Sequence, residues 1–511
     1  MKIVMAVIKL IIVKYQMAPS WTHTNDLWLN PKSPNSSPTS IRPVPPVLTT
    51  PIPSTAIQLP TLSIEQQLCF DKYVNGENLF ITGPGGTGKS FLIKTIVKHA
   101  ESNNKIIKVC ALTGCAAILL ECKATTLHMF SGIGLANKKN DIIVNELFTK
   151  NNRKLMNWKN LEILIIDEIS MMSLKILLLL DLIAKKYYRN DKPYGGLQVI
   201  FTGDFYQLSP VFSNLCEKEE SMYCFQHELW GQLFPKTNQI VLKTIFRQND
   251  ELLLKVLKYI RKGQITPSTQ LALQSRLFDK SKLDALKKEK VLTILSPIKR
   301  DVEALNAKEY AKLEKGIQEI EYVMSYVDLS DNTDGVENTK LLFDLYLKSN
   351  YGLKKDYDFL ANNIMAESAI KLKVGTQVMC IANITLCGEL QIANGSQGIV
   401  VGFNEKSMPC VKFNNIANPI TITNYIWKSE HNKRVGVSQI PLIYSWAITI
   451  HKAQGLTLEN AIIDIGSNIF AYGQTYVALS RVKSLSGLYL THFDYTKILC
   501  NPIVKQFYGD N

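Results

Sequence analysis

The sequence lacks the features that mark zinc-binding, secreted and membrane-spanning proteins. Its ten cysteines include no C-x-x-C pair, so neither a zinc ribbon nor a redox dithiol is indicated. The apolar run at residues 3–13 is interrupted by Lys9, is too short to cross a bilayer, and is not followed by a small-residue cleavage site. We therefore expect a reduced, intracellular protein without stable membrane association.

Acidic residues are scarce at the N-terminus, where Asp26 is the only one within residues 1–64. Proline is abundant there, because ten of the 20 prolines fall between Pro19 and Pro60. Proline fixes φ and removes a backbone donor, so we predict that residues 1–61 form a disordered extension. With so few acidic residues, the N-terminal segment resembles an organellar transit peptide in composition. The alternative, which we favour, is an upstream extension without a role.

The rest of the composition is that of a basic globular protein. Lysine and arginine total 58 against 44 acidic residues, which gives a formal net charge of +14. Such an excess favours contact with polyanions through counterion release, although simple solubility is the alternative. A length of 511 residues predicts two or three domains.

Residues 62–245 alternate short apolar runs with longer helical patterns, which is typical of a parallel sheet covered by helices. The predicted strands lie at 79–82, 106–112, 163–166, 199–202 and 240–242. A second unit is predicted at 246–511, with strands at 291–295, 461–465 and 488–490. Within it, short β-rich pieces separated by Gly and Asn turns at about 371–439 predict a small inserted β-barrel. Residues 319–367 give no chemical indication.

A phosphate-binding loop is indicated by the match to G-x-x-x-x-G-K-[ST] between an apolar run and a helical pattern. Its residues are Gly83, Pro84, Gly85, Gly86, Thr87, Gly88, Lys89 and Ser90. Glycines let backbone N–H groups curl around phosphates, and the following helix N-terminus favours anions. Lys89 can reach the β- and γ-phosphates of ATP, and the Ser90 hydroxyl can hold Mg²⁺. A glycine turn that ends in Lys-Ser by chance is the alternative.

Two carboxylates follow the apolar run 163–166 and complete a nucleotide-hydrolysis site. Asp167 can join the Mg²⁺ shell, and Glu168 can accept a proton from the attacking water. Alone, such a pair is a common solvated strand end. Downstream of a matched phosphate loop it predicts nucleotide hydrolysis and no more, because kinases and GTPases also carry such loops.

Further motifs select among these nucleotide-hydrolysing classes. They are IDEISM at 166–171, GDFYQLSP at 203–210, FRQ at 246–248, TIHKAQG at 449–455 and QTYVALSR at 474–481. In this order they resemble the motif series of superfamily one helicases. LSIEQ at 62–66, TLH at 126–128, YGGLQ at 194–198 and LQIANG at 390–395 narrow the resemblance to the Pif-type DNA helicases. Ser209 and Tyr194 depart from the family pattern, and neither is a group that hydrolysis needs.

The resemblance, which spans about residues 62–490, implies a fold and a set of roles. We expect two RecA-like P-loop NTPase domains with a small β-barrel inserted in the second. Gln66 should contact adenine, whereas Gln207 and Gly455 should couple the γ-phosphate state to closure of the cleft. Arg247 and Arg481 should act as arginine fingers, because a planar, permanently charged guanidinium suits the transferring phosphoryl oxygens.

The resemblance also implies a surface that grips single-stranded DNA. The residues in its DNA-gripping segments are Thr113, Gly114, Thr126, His128, Thr449, His451 and Lys452. Small polar groups and backbone amides can bind phosphates without reading sequence. Phe130 and Phe205 could stack on bases, although an aromatic residue near a sheet is more often part of the core.

The motifs together with the resemblance therefore imply an ATP-driven, Mg²⁺-dependent and monomeric helicase, and the resemblance alone implies 5′→3′ movement on single-stranded DNA. It should unwind tailed duplexes during replication, repair or recombination. A DNA-stimulated ATPase that translocates without separating strands is the nearest alternative, and a scaffold with a degenerate nucleotide site is a more distant one. No clustered nuclease or relaxase residues are evident. We expect it in the nucleus or at another site of DNA replication, with the mitochondrion as the alternative.

Overall fold

The structure, a computed structural model, describes residues 61–510 except 135, 137, 150–151, 211–221, 315–317, 330–350, 387–388, 415, 430–431 and 433. Residues Leu59–Asn511 make up one contact unit. The predicted N-terminal extension lies outside the described residues.

The N-terminal half builds its sheet from the short apolar runs that the sequence indicates. The strands are β1 (Leu79–Thr82), β2 (Ile107–Ala111), β3 (Thr125–Thr126), β4 (Ile163–Asp167), β5 (Gln198–Gly203) and β6 (Gln239–Val241). They pair in the order β3-β2-β4-β5-β1-β6, and every pairing is parallel. All five predicted strands are confirmed, and β3 is a short addition at one edge.

Strand alternation divides the core of this half into two layers. Leu164 and Ile166 of β4 join one cluster of buried side chains, while Ile163 and Ile165 join another. Successive side chains of a strand point to opposite faces, so both faces must be covered, and helices cover them. These helices are α1 (Ile64–Val74), α2 (Lys89–Ser102), α3 (Gly114–Leu119), α4 (Leu127–Ser131), α5 (Asn140–Thr149), α6 (Asn152–Leu155), α7 (Leu174–Tyr188) and α8 (Glu228–Leu233).

The C-terminal half contains more strands than the sequence suggests. They are β7 (Thr293–Ser296), β8 (Ile320–Val323), β9 (Ser325–Asp328), β10 (Ala369–Leu372), β11 (Gln377–Cys380), β12 (Ile384–Leu386), β13 (Glu389–Ile392), β14 (Gln397–Phe403), β15 (Pro409–Phe413), β16 (Ile420–Thr421), β17 (Tyr425–Lys428), β18 (Val435–Gln439), β19 (Leu442–Tyr444), β20 (Ala447–Thr449), β21 (Ala461–Ile465) and β22 (Leu488–Phe493). Its helices are α9 (Glu251–Arg261), α10 (Pro267–Gln274), α11 (Lys280–Glu289), α12 (Lys299–Ala311), α13 (Tyr351–Asn363), α14 (Gln474–Leu479) and α15 (Pro502–Tyr508).

Four of these strands form a second parallel sheet in the order β20-β7-β21-β22. Strands β7, β21 and β22 are the predicted ones. Strand β20 was not predicted, because it is only three residues long and ends on Thr449, the first residue of a polar motif. The strands β7 and β20 are neighbours in this sheet but are separated by about 150 residues in sequence, and that interval holds the insertion.

The insertion is antiparallel. Its main sheet has the order β16-β15-β14-β11-β19, and four of these strands lie within the β-rich stretch at about 371–439 that predicted a barrel. Smaller sheets pair β10 with β8, β12 with β13, and β17 with β18 and β9. Strands β16 and β19 are the edges of the main sheet in the pairing of the described residues, so closure into a barrel stays a prediction.

The C-terminal helix α15 returns to the first sheet. Its Val504 is buried in the same cluster as Phe80 and Trp230, and Phe507 and Tyr508 pack against that cluster. Across the described part of the chain, no helix is both long enough and apolar enough to span a bilayer.

Candidate functional site

The phosphate loop lies where the sequence predicts it, between the end of β1 and the start of α2. Gly86 and Gly88 adopt positive φ values of 86° and 78°. A Cβ atom at Gly88 would lie 2.6 Å from Nε2 of Gln66, and one at Gly86 would lie 2.6 Å from Cβ of Arg247. Glycine is therefore required at both positions, by backbone conformation and by space.

Lys89 opens α2 and folds back over the loop. Its Nζ donates to the carbonyl oxygens of Gly83, at 2.7 Å, and Pro84, at 3.0 Å. Burial lowers the pKa of Lys89, and the negative charges of Asp204 and Glu168 oppose that shift. A cation thus sits at the centre of the loop, as a phosphate site requires.

Gln66 is fixed beside the loop by the start of α1. Ser63 caps this helix and accepts from the Gln66 amide, while the Gln66 carbonyl oxygen Oε1 accepts from the Ser63 amide at 3.0 Å. Nε2 of Gln66 then donates to the Thr87 carbonyl at 3.3 Å. A cavity of about 740 Å³ lies here, and its lining includes Gln66, Phe246, Arg247, Asn394 and Lys483.

The predicted carboxylates stand together at the end of β4. Asp167 is buried and accepts a hydrogen bond from the Thr202 hydroxyl of the neighbouring strand β5. Glu168 has a left-handed φ of 55°. Burial raises the pKa of both groups, and with the charge of Asp167 it brings the pKa of Glu168 to about 7. A carboxylate with a pKa near neutrality can act as a general base.

Both predicted arginine fingers reach the phosphate loop from the C-terminal half. A Cβ atom at Gly85 would lie 3.5 Å from a guanidinium nitrogen of Arg481 and 3.7 Å from one of Arg247. Arg481 is only 2% exposed. Burial, followed by the charge of Arg247, lowers the pKa of Arg481 to about 9. Two adjacent, poorly solvated cations favour a polyanion between them.

A smaller cavity joins the predicted catalytic and strand-binding residues. It has a volume of about 110 Å³, and its lining includes Ser90, Asp167, Glu168, Thr113 and His451. Hydroxyl and carboxylate oxygens are the ligands that Mg²⁺ prefers, so the donor set fits the predicted metal. Among the described residues, no group of three or more His, Cys, Asp and Glu side chains could hold a metal without such hydroxyl or phosphate ligands.

The predicted DNA contacts lie at or just beyond the carboxyl ends of strands in the two parallel sheets. Thr113 and Thr126 each cap a helix, accepting from the amides of Ala116 and Met129. Thr449 is buried at the end of β20 and accepts from the amide of Lys452, which is itself exposed. These hydroxyls thus have structural partners already.

The remaining predicted contacts differ in their surroundings. Desolvation lowers the pKa of His128 and His451, which favours neutral imidazoles. A Cβ at Gly114 would lie 1.6 Å from the side-chain oxygen of Asn363, so α13 lies directly over this residue. Phe130 and Phe205 are 1% and 2% exposed. Neither is available for base stacking, and the alternative that they belong to the core is confirmed.

A known protein family and a curated relative match this chain. Residues 61–269 match the family described as PIF1-like helicase. The chain is 30% identical over 448 residues to the ATP-dependent DNA helicase Pif1 of Bdellovibrio bacteriovorus, which covers 88% of this chain and 91% of that protein. This chain belongs to the PIF1-like helicase family.

Two further relatives extend the match. The human ATP-dependent DNA helicase PIF1 is 31% identical over 466 residues, which cover 90% of this chain but 66% of the human protein, just under two thirds of its length. The crystal structure of Pif1 helicase from Bacteroides in complex with ADP-AlF3 and ssDNA is 28% identical, with a TM-score of 0.51, and covers 88% of this chain and 97% of that one. The two parallel-sheet domains are therefore RecA-like, as predicted.

Two site residues were missed from the sequence. Nε2 of Gln454 donates to Oε2 of Glu168 at 3.0 Å and to Oε1 of Gln207 at 3.4 Å. The Tyr476 hydroxyl accepts from the amide of Gly85 at 3.1 Å. Both residues stand inside motifs that the sequence matched, next to Gly455 and before Arg481. Their position in those motifs was the available signal.

Proposed function

We propose that this chain is an ATP-dependent DNA helicase that moves 5′→3′ along single-stranded DNA and unwinds duplexes in replication, repair or recombination. One observation carries the proposal: second-domain groups complete the nucleotide site of the first. Arg481 and Arg247 flank Gly85, and Gln454 bonds to Glu168. Such a shared site makes hydrolysis depend on the relative position of the two domains.

Hydrolysis itself needs charge neutralisation and an activated water. Lys89 binds the β- and γ-phosphates, and Glu168 accepts the proton of the attacking water. Arg247 and Arg481 stabilise the charge that spreads over the transferring phosphoryl oxygens. Gln66 holds the adenine through its amide, beside the cavity that Phe246 also lines.

Mg²⁺ is the metal that the donor set fits, with Ser90 and Asp167 as its protein ligands. When bound, Mg²⁺ would supply positive charge that offsets the negative charge developing on the phosphate oxygens. The hydrogen bond from the Thr202 hydroxyl fixes the orientation of the Asp167 carboxylate.

Coupling to DNA runs through the turn at 449–455. Gln454 donates hydrogen bonds to Glu168 and Gln207, and His451 lies three residues earlier in the same turn. Gly455 also receives a bond from Arg247, whose guanidinium donates to its carbonyl at 3.3 Å. A change at the γ-phosphate therefore alters the turn that carries the predicted strand contacts.

The Bacteroides relative is described with ADP-AlF3 and ssDNA, which supports single-stranded DNA as the track and tailed duplex as the substrate. We assign the strand grip to the predicted residues of both domains, with 62–245 as the first domain and 246–511 as the second. The motor is proposed to work as a monomer, in the nucleus or another compartment where DNA replicates. The 371–439 sheet is proposed to close as a small β-barrel.

The experiment compares ATP hydrolysis with strand separation on one set of tailed duplexes. The helicase proposal expects both activities, and it expects strand separation to need ATP. Hydrolysis stimulated by DNA without strand separation would instead establish the alternative, a translocase that does not unwind.

A further inference from the structure

The sensor segment, which we define as residues 204–207, carries Gln207 and is enclosed by groups from the second domain. Asp204 is fully buried, and both of its carboxylate oxygens accept from Arg261, at 2.7 Å and 3.0 Å. Arg261 is the last residue of α9. A buried carboxylate that accepts two guanidinium bonds is held in one orientation.

The C-terminal helix α15 contacts the same segment with its last turn. Tyr508 stacks on Tyr206 with ring centroids 4.9 Å apart and planes inclined by 16°. Its hydroxyl accepts from the Phe205 amide at 3.3 Å and lies 2.7 Å from the Thr82 hydroxyl. Thr82 is the residue immediately before Gly83. One phenol thus joins the sensor segment to the start of the phosphate loop.

Three further contacts surround the sensor segment. Asp510 accepts from the Tyr206 hydroxyl and from Lys262, which follows Arg261 in sequence. The Arg261 guanidinium lies 4.5 Å from the ring of Tyr206. On another side, a Cβ atom at Gly473 would lie 2.5 Å from the Gln207 carbonyl, so the start of α14 abuts the sensor segment as well.

We infer that the C-terminal segment 502–510 is a positioning element for Gln207, which transmits movement of the second domain to the sensor segment. This role rests on the proposed ATP-driven function, and it assigns to hydrolysis a segment that lies outside the nucleotide-binding residues. Tyr508 is a positioning residue, because its contacts reach Phe205 and Thr82 and not the nucleotide cavities.

The primary test is Tyr508→Phe, which removes the hydroxyl and keeps the ring that stacks on Tyr206. The buried Phe205 amide then loses its acceptor, and DNA-stimulated kcat should fall about fivefold to tenfold, the equivalent of one such hydrogen bond. KM for ATP and the binding of a fluorescent ATP analogue should not change, because the phosphate loop and the arginines are intact. Tyr495→Phe is the matched control, since Tyr495 is 60% exposed.

A second variant, Asp510→Ala, keeps the test valid should the first one fold poorly. It removes the partner of Tyr206 and Lys262 at the end of the chain, and it should lower kcat in the same direction with KM unchanged. Wild-type kcat in both variants, or a rise in KM without a fall in kcat, would overturn the inference. A wild-type protein without any ATPase would instead refute the proposed function, so the two failures are distinguishable.

Discussion

At the scale of single residues, Lys89 is a buried cation at the centre of the phosphate loop, where its charge would face the phosphates of ATP. Lys89→Ala should abolish ATPase and unwinding while the fold survives, since one preorganised charge at a transition state stabilises it by roughly 3–4 kcal/mol. Steady-state ATPase assays and a thermal melt measure the two effects. Lys94→Ala is the control on the same helix, where Lys94 pairs with Glu121 in an exposed ion pair. Near-normal turnover in Lys89→Ala would refute the site assignment.

Arg481 differs from Lys89 in the step that it serves. Arg481→Ala should leave ATP binding intact and reduce hydrolysis by about 10³-fold, as the loss of an arginine finger does. Equilibrium binding and single-turnover hydrolysis separate the two. Arg300→Ala serves as the control, because the Arg300 side chain is 91% exposed. If binding were lost while bound ATP still turned over normally, Arg481 would be a binding contact.

Glu168 gives the site a pH dependence whose sign can be worked out. Its pKa is raised to about 7, mainly by burial, so acid converts it to the neutral form that cannot accept a proton. The value of kcat/KM for ATP should therefore rise with pH up to about 7 and level off above it. In Glu168→Gln the residual rate should no longer show this rise with pH. A profile that is flat between about pH 6 and pH 8 would exclude Glu168 as the base.

At the scale of elements, the sequence predicted most of the site and less of the surrounding fold. All five strands of the first sheet were predictable, because a buried parallel strand is a short apolar run bounded by turn residues. The phosphate loop, the carboxylates and both arginines came from motifs whose chemistry fixes their spacing. Strand β20 was not predictable, because a three-residue strand has no period of its own.

Contacts between elements distant in sequence were the other part that the sequence could not supply. The return of α15 to the first sheet depends on the packing of Phe507 and Tyr508. Two adjacent aromatic residues do not indicate in the sequence which part of the molecule they pack against. The Asp204–Arg261 ion pair spans 57 residues, and neither charge reveals its partner. The burial of Phe205, with Trp230 and Phe507 around it, likewise depends on tertiary packing.

The turn at 449–455 yields a prediction at this scale, through the missed residue Gln454. Gln454→Ala removes the side-chain amide that reaches from the second domain to both Glu168 and Gln207 of the first. We therefore expect DNA to stimulate the ATPase about tenfold less, a loss typical of a side-chain hydrogen bond to a charged group. ATPase assays with and without single-stranded DNA measure the ratio. Gln264→Ala is the matched control, since Gln264 is exposed. Unchanged stimulation would show that the bridge does not carry the coupling.

At the scale of the whole molecule, the proposed ATP site takes its groups from two RecA-like domains, because Arg247 and Arg481 of the second lie against the phosphate loop of the first. The proposed motor follows from this division, because hydrolysis at a shared site changes the relative position of the two strand grips. Both polarities are compatible with the same two-domain site, so the expectation of 5′→3′ movement rests on the family resemblance.

Strand displacement on duplexes with one single-stranded tail tests the central claim most directly. Labelled duplexes carrying a 5′ tail, a 3′ tail or no tail would be incubated with the protein and ATP, with Lys89→Ala as the inactive control. We expect ATP-dependent separation of the 5′-tailed duplex and none without a tail or with the variant. Unwinding from the 3′ tail alone would refute the polarity and leave the motor standing. DNA-stimulated ATP hydrolysis with no strand separation from either tail would contradict the claim that this chain is a helicase.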